Sequence, residues 1–306
     1  MPSLNVIRHL LDQCTFPGPG EMVTCAVSGG ADSLALLALA VAAGCRATAL
    51  HVDHGLRPGS ASEADLVAHT ARELGAEFRA ESVVVDDGPN LEARARAARY
   101  KVMPADVLTG HTADDQAETV LVNVLRGAGL DGLAGMRPAR HPILQLRRTD
   151  TVWVCETLGL VPFMDPSNRD PRHLRNRIRH EVLPLVDTVA GRDVASVLAR
   201  QAHLLRDDAD LLNALAADID VHDAPQLACA PAALARRAVR RWLSQLAGGT
   251  ERHPPNARSV ERVLAVARNE ATACEIEGGW RISRHQQRLV ASPPSRATEP
   301  SSDLPQ

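Results

Sequence analysis

Short apolar runs alternate with longer helical patterns through the first half of the chain. The runs predict β-strands at 22–28, 47–53, 78–85 and 107–110. The segments between them predict helices over 31–43, over about 60–75, from Asn90 to about Met103 and from Thr112 to about Arg126. Repeated βα units of this kind predict an α/β fold in which helices cover both faces of a doubly wound parallel sheet.

The second half has a different pattern. Residues 136–170 are rich in Pro, Arg and Asp, and we interpret them as a connecting region with one short strand at 143–147. Helical patterns follow at 176–218, 230–247 and 256–268, and the Pro- and Ser-rich tail from Ser292 predicts disorder. The sequence thus predicts an α/β domain over 1–185, a smaller helical domain over 186–291 and a disordered tail over 292–306.

Composition excludes several classes of protein. With 45% hydrophobic and 23% charged residues the chain has the make-up of a globular protein, and no apolar run reaches the length of a membrane span. No secretory signal pattern opens the chain, so we expect a cytoplasmic protein. The six cysteines include no C-x-x-C pair, which argues against a zinc ribbon and favours free thiols. A net charge of −3 argues against a uniformly basic nucleic-acid binder but permits a local basic patch.

The strongest local signal is a candidate phosphate loop, Ser28-Gly29-Gly30-Ala31-Asp32-Ser33, between the first strand and the first helix. Its glycines allow backbone N–H groups to approach a ligand, and the following helix directs its positive dipole end to the same place. The loop lacks the lysine of a Walker A motif. Asp32 would repel a phosphate unless a cation lay between them, so its presence suggests Mg²⁺.

Other motifs follow the ends of the later strands. His51-Val52-Asp53-His54-Gly55-Leu56-Arg57-Pro58 ends the second strand, and Asn90–Tyr100 carries several arginines. Gly110–Thr119 begins a helix on which His111, Asp115 and Glu118 share one face, an arrangement that suits Mg²⁺ or a cationic substrate. Residues 171–180 contain four arginines and no acid, which favours phosphate binding.

The S-G-G-x-D-S sequence is the signature of the PP-loop, or N-type, ATP pyrophosphatases, which have an adenine-nucleotide α-hydrolase-like fold. Together with the later motifs, including Asn123–Leu130, Gly132–Met136, Asp165-Pro166-Ser167-Asn168 and Arg175–Arg179, residues 22–185 resemble the tRNA(Ile)-lysidine synthetase family. The resemblance implies a ligase that adenylates C2–O of the wobble cytidine of tRNA(Ile) with a CAU anticodon. The amine of free L-lysine then displaces AMP.

The same resemblance implies roles for individual residues. It assigns ATP to the phosphate loop, His54, Arg57 and His111, and it assigns catalysis and Mg²⁺ to Asp32 and Asp115. Lysine recognition falls to Glu118 and Arg96. For tRNA the candidate residues are Arg126, Arg175, Asn176 and Arg179. The lack of a long apolar run predicts no membrane partner, and the oligomeric state stays open, with a homodimer among the options.

Two other functions stay open on the sequence alone. One is another PP-loop enzyme, a tRNA thiolase or a small-molecule amide ligase, although paired cysteines for a thiolase are missing. The second is a tRNA- or nucleotide-binding homologue that has lost catalysis. Only residues 101–106 separate Tyr100 from the fourth strand, and a connector this short would misplace the His111–Glu118 motif if helical turns were lost. His141-Pro142-Ile143-Leu144 also departs from the Arg-Pro-Leu-Leu of the family.

Overall fold

The computed structural model describes residues 4–53, 60–83, 94, 98, 101–163, 170–246 and 255–294. The chain divides into two compact units, Met1–Arg206 and Asp207–Gln306. The predicted domains 1–185, 186–291 and 292–306 stay a prediction, and the part of the tail beyond residue 294 lies outside the described residues.

The first unit contains the predicted parallel sheet. Its strands are β1 (Met22–Ala26), β2 (Arg46–Asp53), β3 (Glu77–Ser82) and β4 (Leu108–Thr109), in the order β3-β2-β1-β4 with every pairing parallel. The chain moves outward from β1 to β3 and then returns to the other side of β1. The strand order therefore reverses between β1 and β4, which is where ligands bind in folds of this type.

Helices of the first unit follow the predicted order. They are α1 (Ala31–Ala42), α2 (Ser60–Leu74), α3 (Ala113–Leu125), the short α4 (Leu130–Leu133), α5 (Arg148–Leu158), α6 (Leu174–Arg177) and α7 (Leu183–Ala190), with a π-helical turn at Ile178–Val182. Two 3₁₀ segments, Leu4–Gln13 and Pro138–Arg140, also lie in the described part of this unit. The α1 helix is buried almost on all sides, as its apolar sequence predicts, and forms the centre of the main core. The helix predicted from Asn90 lies mostly outside the described residues.

Two predictions for the connecting region are wrong. Residues 143–147 form turns and not a strand: their apolar side chains enter the core from the turns, and Ile143 and Leu146 are fully buried. The region also contains the regular helix α5, which begins when the Asp150 carboxylate accepts a hydrogen bond from the Arg147 backbone N–H at 2.7 Å. Gly159 ends that helix in the left-handed conformation, with φ of 70°.

The second unit is built from helices and a small antiparallel sheet. Helix α8 (Val194–Ala217) contains the division between the units, and α9 (Ala224–Cys229), α10 (Ala232–Leu246) and α11 (Ala257–Ala267) follow it. Strands β5 (Ala273–Glu275), β6 (Arg281–His285) and β7 (Arg288–Ser292) pair in chain order. The predicted helices are confirmed here, except that 176–218 is interrupted at Gly191, and the sheet was not predicted.

Candidate active site

The phosphate loop forms a tight turn between β1 and α1. Gly29 has φ of 84°, a conformation that favours glycine. The Ser33 hydroxyl donates to the Gly30 carbonyl at 2.8 Å and accepts from the Ser28 backbone N–H at 3.2 Å. Gly30 caps α1 without a side chain, so no side chain of the cap covers the positive end of this buried helix. The loop has the form expected of an anion site.

Gly110 brings the end of β4 against the phosphate loop. A Cβ atom at this position would lie 2.6 Å from the Asp32 carbonyl oxygen and 3.1 Å from the Ser33 nitrogen. The absence of a side chain therefore allows the two segments to touch. This contact places the His111–Glu118 motif beside the loop, at the point where the strand order reverses.

Helix α3 begins with a capping box that fixes Asp115. The Asp115 carboxylate accepts hydrogen bonds from the Thr112 backbone N–H at 2.9 Å and from the Thr112 hydroxyl at 3.0 Å. Nδ1 of His111 lies 3.8 Å from Oδ2 of Asp115, and Glu118 is 1% exposed one turn further along. The shared face that the spacing predicts is thus formed, although the preceding connector is short.

Three carboxylates meet at this place, and we call Asp32, Asp115 and Glu118 the carboxylate cluster. Arg148, at the start of α5, donates from Nη2 to Asp115 at 2.8 Å and to Glu118 at 3.4 Å, and its Nε lies 3.6 Å from Asp32. Arg179 donates from Nε to Glu118 at 2.6 Å and from Nη2 to Asp115 at 3.4 Å. Two guanidinium groups therefore offset most of the negative charge.

Burial and charge act in opposite directions on the two aspartates. Burial and the neighbouring Asp115 charge raise the pKa of Asp32, against the hydrogen bond from Thr151 and the charges of Arg148 and Arg179. Burial would raise the pKa of Asp115 too, but His111, Arg148 and the Thr112 N–H together hold that pKa well below its ordinary range. Asp115 therefore stays ionised, while Asp32 takes up a proton more readily.

A second group of contacts supports the cluster. Asp114 accepts from the Arg147 guanidinium and from the Arg148 backbone N–H at 2.8 Å, and Arg147 also pairs with Asp193. The pKa of Asp114 is lowered because these bonds outweigh its burial. His141 lies against His111, with ring centroids 4.9 Å apart, and its Nδ1 is 2.6 Å from the Thr109 hydroxyl. His141 thus packs against the first residue of the His111–Glu118 motif.

The structure brings together most, but not all, of the sequence-predicted residues. The phosphate loop, His111, Asp115, Glu118 and Arg179 form one site. Arg175 reaches its edge through a 3.0 Å hydrogen bond to the Thr119 hydroxyl, and Asn176 donates to the Asp170 carbonyl at 2.9 Å. Arg126 is exposed at the far end of α3. His54, Arg57 and Arg96 lie outside the described residues.

Sequence reasoning missed Arg148 and Thr151. Both come from α5, where the Thr151 hydroxyl is fully buried and donates to Oδ1 of Asp32 at 2.5 Å. A signal was present, because Asp150 stands three residues after Arg147, where an acid can bind the free N–H of a helix start. An arginine at the N-cap position hides that signal.

Asp32 and Asp115 fit the role of magnesium ligands for a nucleotide complex. Mg²⁺ commonly binds one or two protein carboxylates and takes its remaining ligands from phosphates and water. Both aspartates lie within reach of one guanidinium beside the phosphate loop. Among the described residues no group of three or more His, Cys, Asp or Glu side chains is arranged to hold a metal ion.

Comparison with known proteins agrees with this geometry. A model described as a PP-loop domain matches residues 4–186, and a TilS substrate binding domain matches residues 223–290. The tRNA(Ile)-lysidine synthase of Nocardia farcinica is 48% identical over 245 residues, which cover 74% of this chain and 77% of that protein. The chain belongs to the tRNA(Ile)-lysidine synthase family. The predicted resemblance and the predicted α/β PP-loop fold are confirmed.

Other relatives extend the match over more of the chain. The tRNA(Ile)-lysidine synthase of Mycobacterium bovis is 42% identical over 288 residues, covering 87% of this chain and 86% of that protein. Among solved structures, the U34-tRNA thiolase NcsA from Methanococcus maripaludis matches with a TM-score of 0.51 at 18% identity, over 66% of this chain and 80% of that one. That likeness shows a shared fold only. Within the described part of the chain, none of the helices has the length and apolarity to cross a membrane.

Proposed function

We propose that this chain ligates L-lysine to C2 of cytidine 34 in tRNA(Ile) with a CAU anticodon, through an adenylated cytidine. The products are lysidine, AMP and pyrophosphate. The observation that carries the proposal is the junction of the phosphate loop with the carboxylate cluster, in a chain of this family. A phosphate site and an amine-recognising carboxylate then stand side by side, as the two halves of such a reaction require.

In the first half of the reaction, O2 of the cytosine attacks the α-phosphorus of ATP, and pyrophosphate leaves. The backbone and hydroxyls of the phosphate loop bind the triphosphate at the positive end of α1. Mg²⁺ held by Asp32 and Asp115 would neutralise charge on the phosphates. His111 lies beside Asp115 and supplies a further polar contact to the nucleotide.

In the second half, the ε-nitrogen of lysine attacks C2 and the C2–O bond to AMP breaks. The amine must first lose a proton, and a second proton leaves after the bond has formed. A carboxylate of the cluster beside the amine accepts that proton. Glu118, with Arg96 for the lysine carboxylate, recognises the amino acid. Because Arg179 and Arg148 already bind Glu118, entry of the ammonium exchanges at least one of these contacts.

The tRNA approaches through the arginines of residues 171–180 and through Arg126. Arg175 is exposed and binds Thr119 on α3. Arg179, four residues further along the chain, binds Glu118 of the carboxylate cluster. Since ATP, free lysine and tRNA are cytoplasmic molecules, we place the reaction in the cytoplasm.

The test is AMP release and nucleoside mass spectrometry with ATP, Mg²⁺, lysine and tRNA(Ile) carrying CAU. We expect lysidine and one AMP per modified tRNA, and no product on tRNA(Met), which has the same anticodon. Product with ammonia or nicotinate adenylate and without tRNA would indicate an amide ligase instead. Tight tRNA binding without AMP release would indicate a catalytically impaired homologue.

A further inference from the structure

One side chain, Arg148, contacts all three members of the carboxylate cluster. Its Nη2 lies 2.8 Å from Asp115 and 3.4 Å from Glu118, and its Nε lies 3.6 Å from Asp32. Asp32 belongs to the phosphate loop, whereas Asp115 and Glu118 belong to α3. The guanidinium therefore joins the nucleotide side of the site to the amine side.

The segment that carries Arg148 is held from two sides. The Arg148 N–H donates to Oδ2 of Asp114 at 2.8 Å, and the Thr151 hydroxyl, which donates its one proton to Asp32, lies 2.9 Å from the Arg148 carbonyl oxygen. The same Thr151 hydroxyl lies 2.5 Å from Oδ1 of Asp32. The first turn of α5 is thus attached both to α3 and to the phosphate loop. These contacts hold the backbone from which the Arg148 side chain extends.

Charge explains why an arginine suits this place. Carboxylates that share a partly buried site repel one another, and a cation between them offsets that repulsion. A guanidinium presents donors in several directions in one plane, whereas an ammonium acts as a compact point charge. The Arg148 side chain is 28% exposed, so it borders the open part of the site as well as its buried wall.

We propose that Arg148 is a positioning residue that holds Asp32, Asp115 and Glu118 at a fixed spacing, so that the activated cytosine and the attacking amine meet. Only the claim that the activated cytosine and the attacking amine meet rests on the proposed function. Binding of Mg²⁺–ATP depends on the nucleotide side of the cluster and can be measured without tRNA or lysine.

The test compares R148Q with R148K and with the matched control R79Q, which removes an exposed arginine paired with Glu81 on β3. For R148Q we expect about tenfold weaker Mg²⁺–ATP binding by calorimetry, because the uncompensated carboxylates repel phosphate. At saturating substrates its kcat should fall about 100-fold, whereas the KM for lysine should change less than about threefold, since Arg179 still binds Glu118. R148K should recover about tenfold in kcat, and R79Q should match the wild type.

A kcat for folded R148Q within about threefold of the wild type would overturn the proposal, as would R148K no more active than R148Q. If R148Q does not fold, T151V tests the same claim, because it keeps the side-chain shape and removes the bond to Asp32. For T151V we expect about tenfold lower kcat with an unchanged lysine KM, and wild-type kcat would refute the proposal. If the wild type binds Mg²⁺–ATP but makes no lysidine, the proposed function fails, and the nucleotide affinity of R148Q still decides the role of Arg148.

Discussion

Replacement of Arg206 by methionine tests how the loop at residues 134–136 supports α3, the helix that carries Asp115 and Glu118. Arg206 lies on α8, is 6% exposed, and donates from Nη2 to the carbonyls of Ala134 at 2.7 Å and Met136 at 2.5 Å. Gln116, next to Asp115 on α3, binds the same loop: its Oε1 accepts from the Met136 N–H at 2.8 Å, and its Nε2 reaches both carbonyls at 3.3–3.5 Å. The loop therefore connects α8 to the helix that carries the carboxylates.

The size of the effect follows from these contacts. Hydrogen bonds to a charged group contribute about 1.5–3 kcal/mol each, and a buried carbonyl that loses its donor adds a desolvation penalty. Gln116 still reaches both carbonyls, and methionine fills much of the vacated volume, so the loss is smaller than two full bonds. We expect R206M to lower the free energy of unfolding by about 2–3 kcal/mol. In a unit of this size that loss lowers the melting temperature by about 4–12 °C.

The assay is thermal unfolding of R206M, of Q116L and of the double variant, with R200M as control. Arg200 is an exposed arginine on the same helix, so R200M should leave the melting temperature within about 1 °C of the wild type. Because Arg206 and Gln116 share two acceptors, the double variant should show a coupling energy of about 0.5–3 kcal/mol. Equal melting temperatures for R206M and R200M, or strict additivity with Q116L, would refute this reasoning.

Three further predictions concern the site itself. G110A should abolish ATP binding in calorimetry and cost about 1–3 kcal/mol in thermal unfolding, since its Cβ would overlap the Asp32 backbone, whereas G129A, with open space around it, should not. D32N should raise the melting temperature at pH 7 and have less effect near pH 4. The reason is that the pKa of Asp32 is raised in the folded state, so its ionised form destabilises the fold as the pH rises through that pKa. The same variant should abolish pyrophosphate release. D115N should lower the melting temperature at pH 7, and the difference from the wild type should become smaller below about pH 4. The pKa of Asp115 is lower in the folded than in the unfolded chain, so its ionised form stabilises the fold, and this stability is lost as the pH falls below the pKa of the unfolded chain.

The sequence predicted the phosphate loop and the start of α3 because their signals are local. Two glycines between a β-run and an apolar helix define the loop, and Thr112 followed three residues later by Asp115 is a capping pair. Parallel strands then place both motifs at one edge of the sheet. Nothing beyond short segments and the rule for strand ends is needed to predict these parts of the site.

Two other elements were missed for local reasons as well. Helix α5 begins after an arginine and not after Ser, Thr, Asp or Asn, and the apolar run before it resembles a strand although it lies in turns. The hairpin β6–β7 turns through Gln286 and Gln287, which have φ of 44° and 65°. Such turns favour Asn-Gly or other glycine-containing pairs, so this pair gives no hairpin signal.

The charge balance of the site is a different problem, because it depends on distant pairs. Thr151 meets Asp32 across 119 positions, and Arg179 meets Glu118 across 61. Among 34 basic residues, local patterns do not distinguish the two guanidiniums that meet the carboxylates. The spacing of His111, Asp115 and Glu118 therefore predicted an acidic site ready for a cation, whereas the folded chain already supplies two cations of its own. An incoming ammonium must exchange for part of these contacts. Arg179 holds Glu118 at 2.6 Å, closer than Arg148 at 3.4 Å, so the affinity of the site for lysine depends on Arg179 as well as on Glu118.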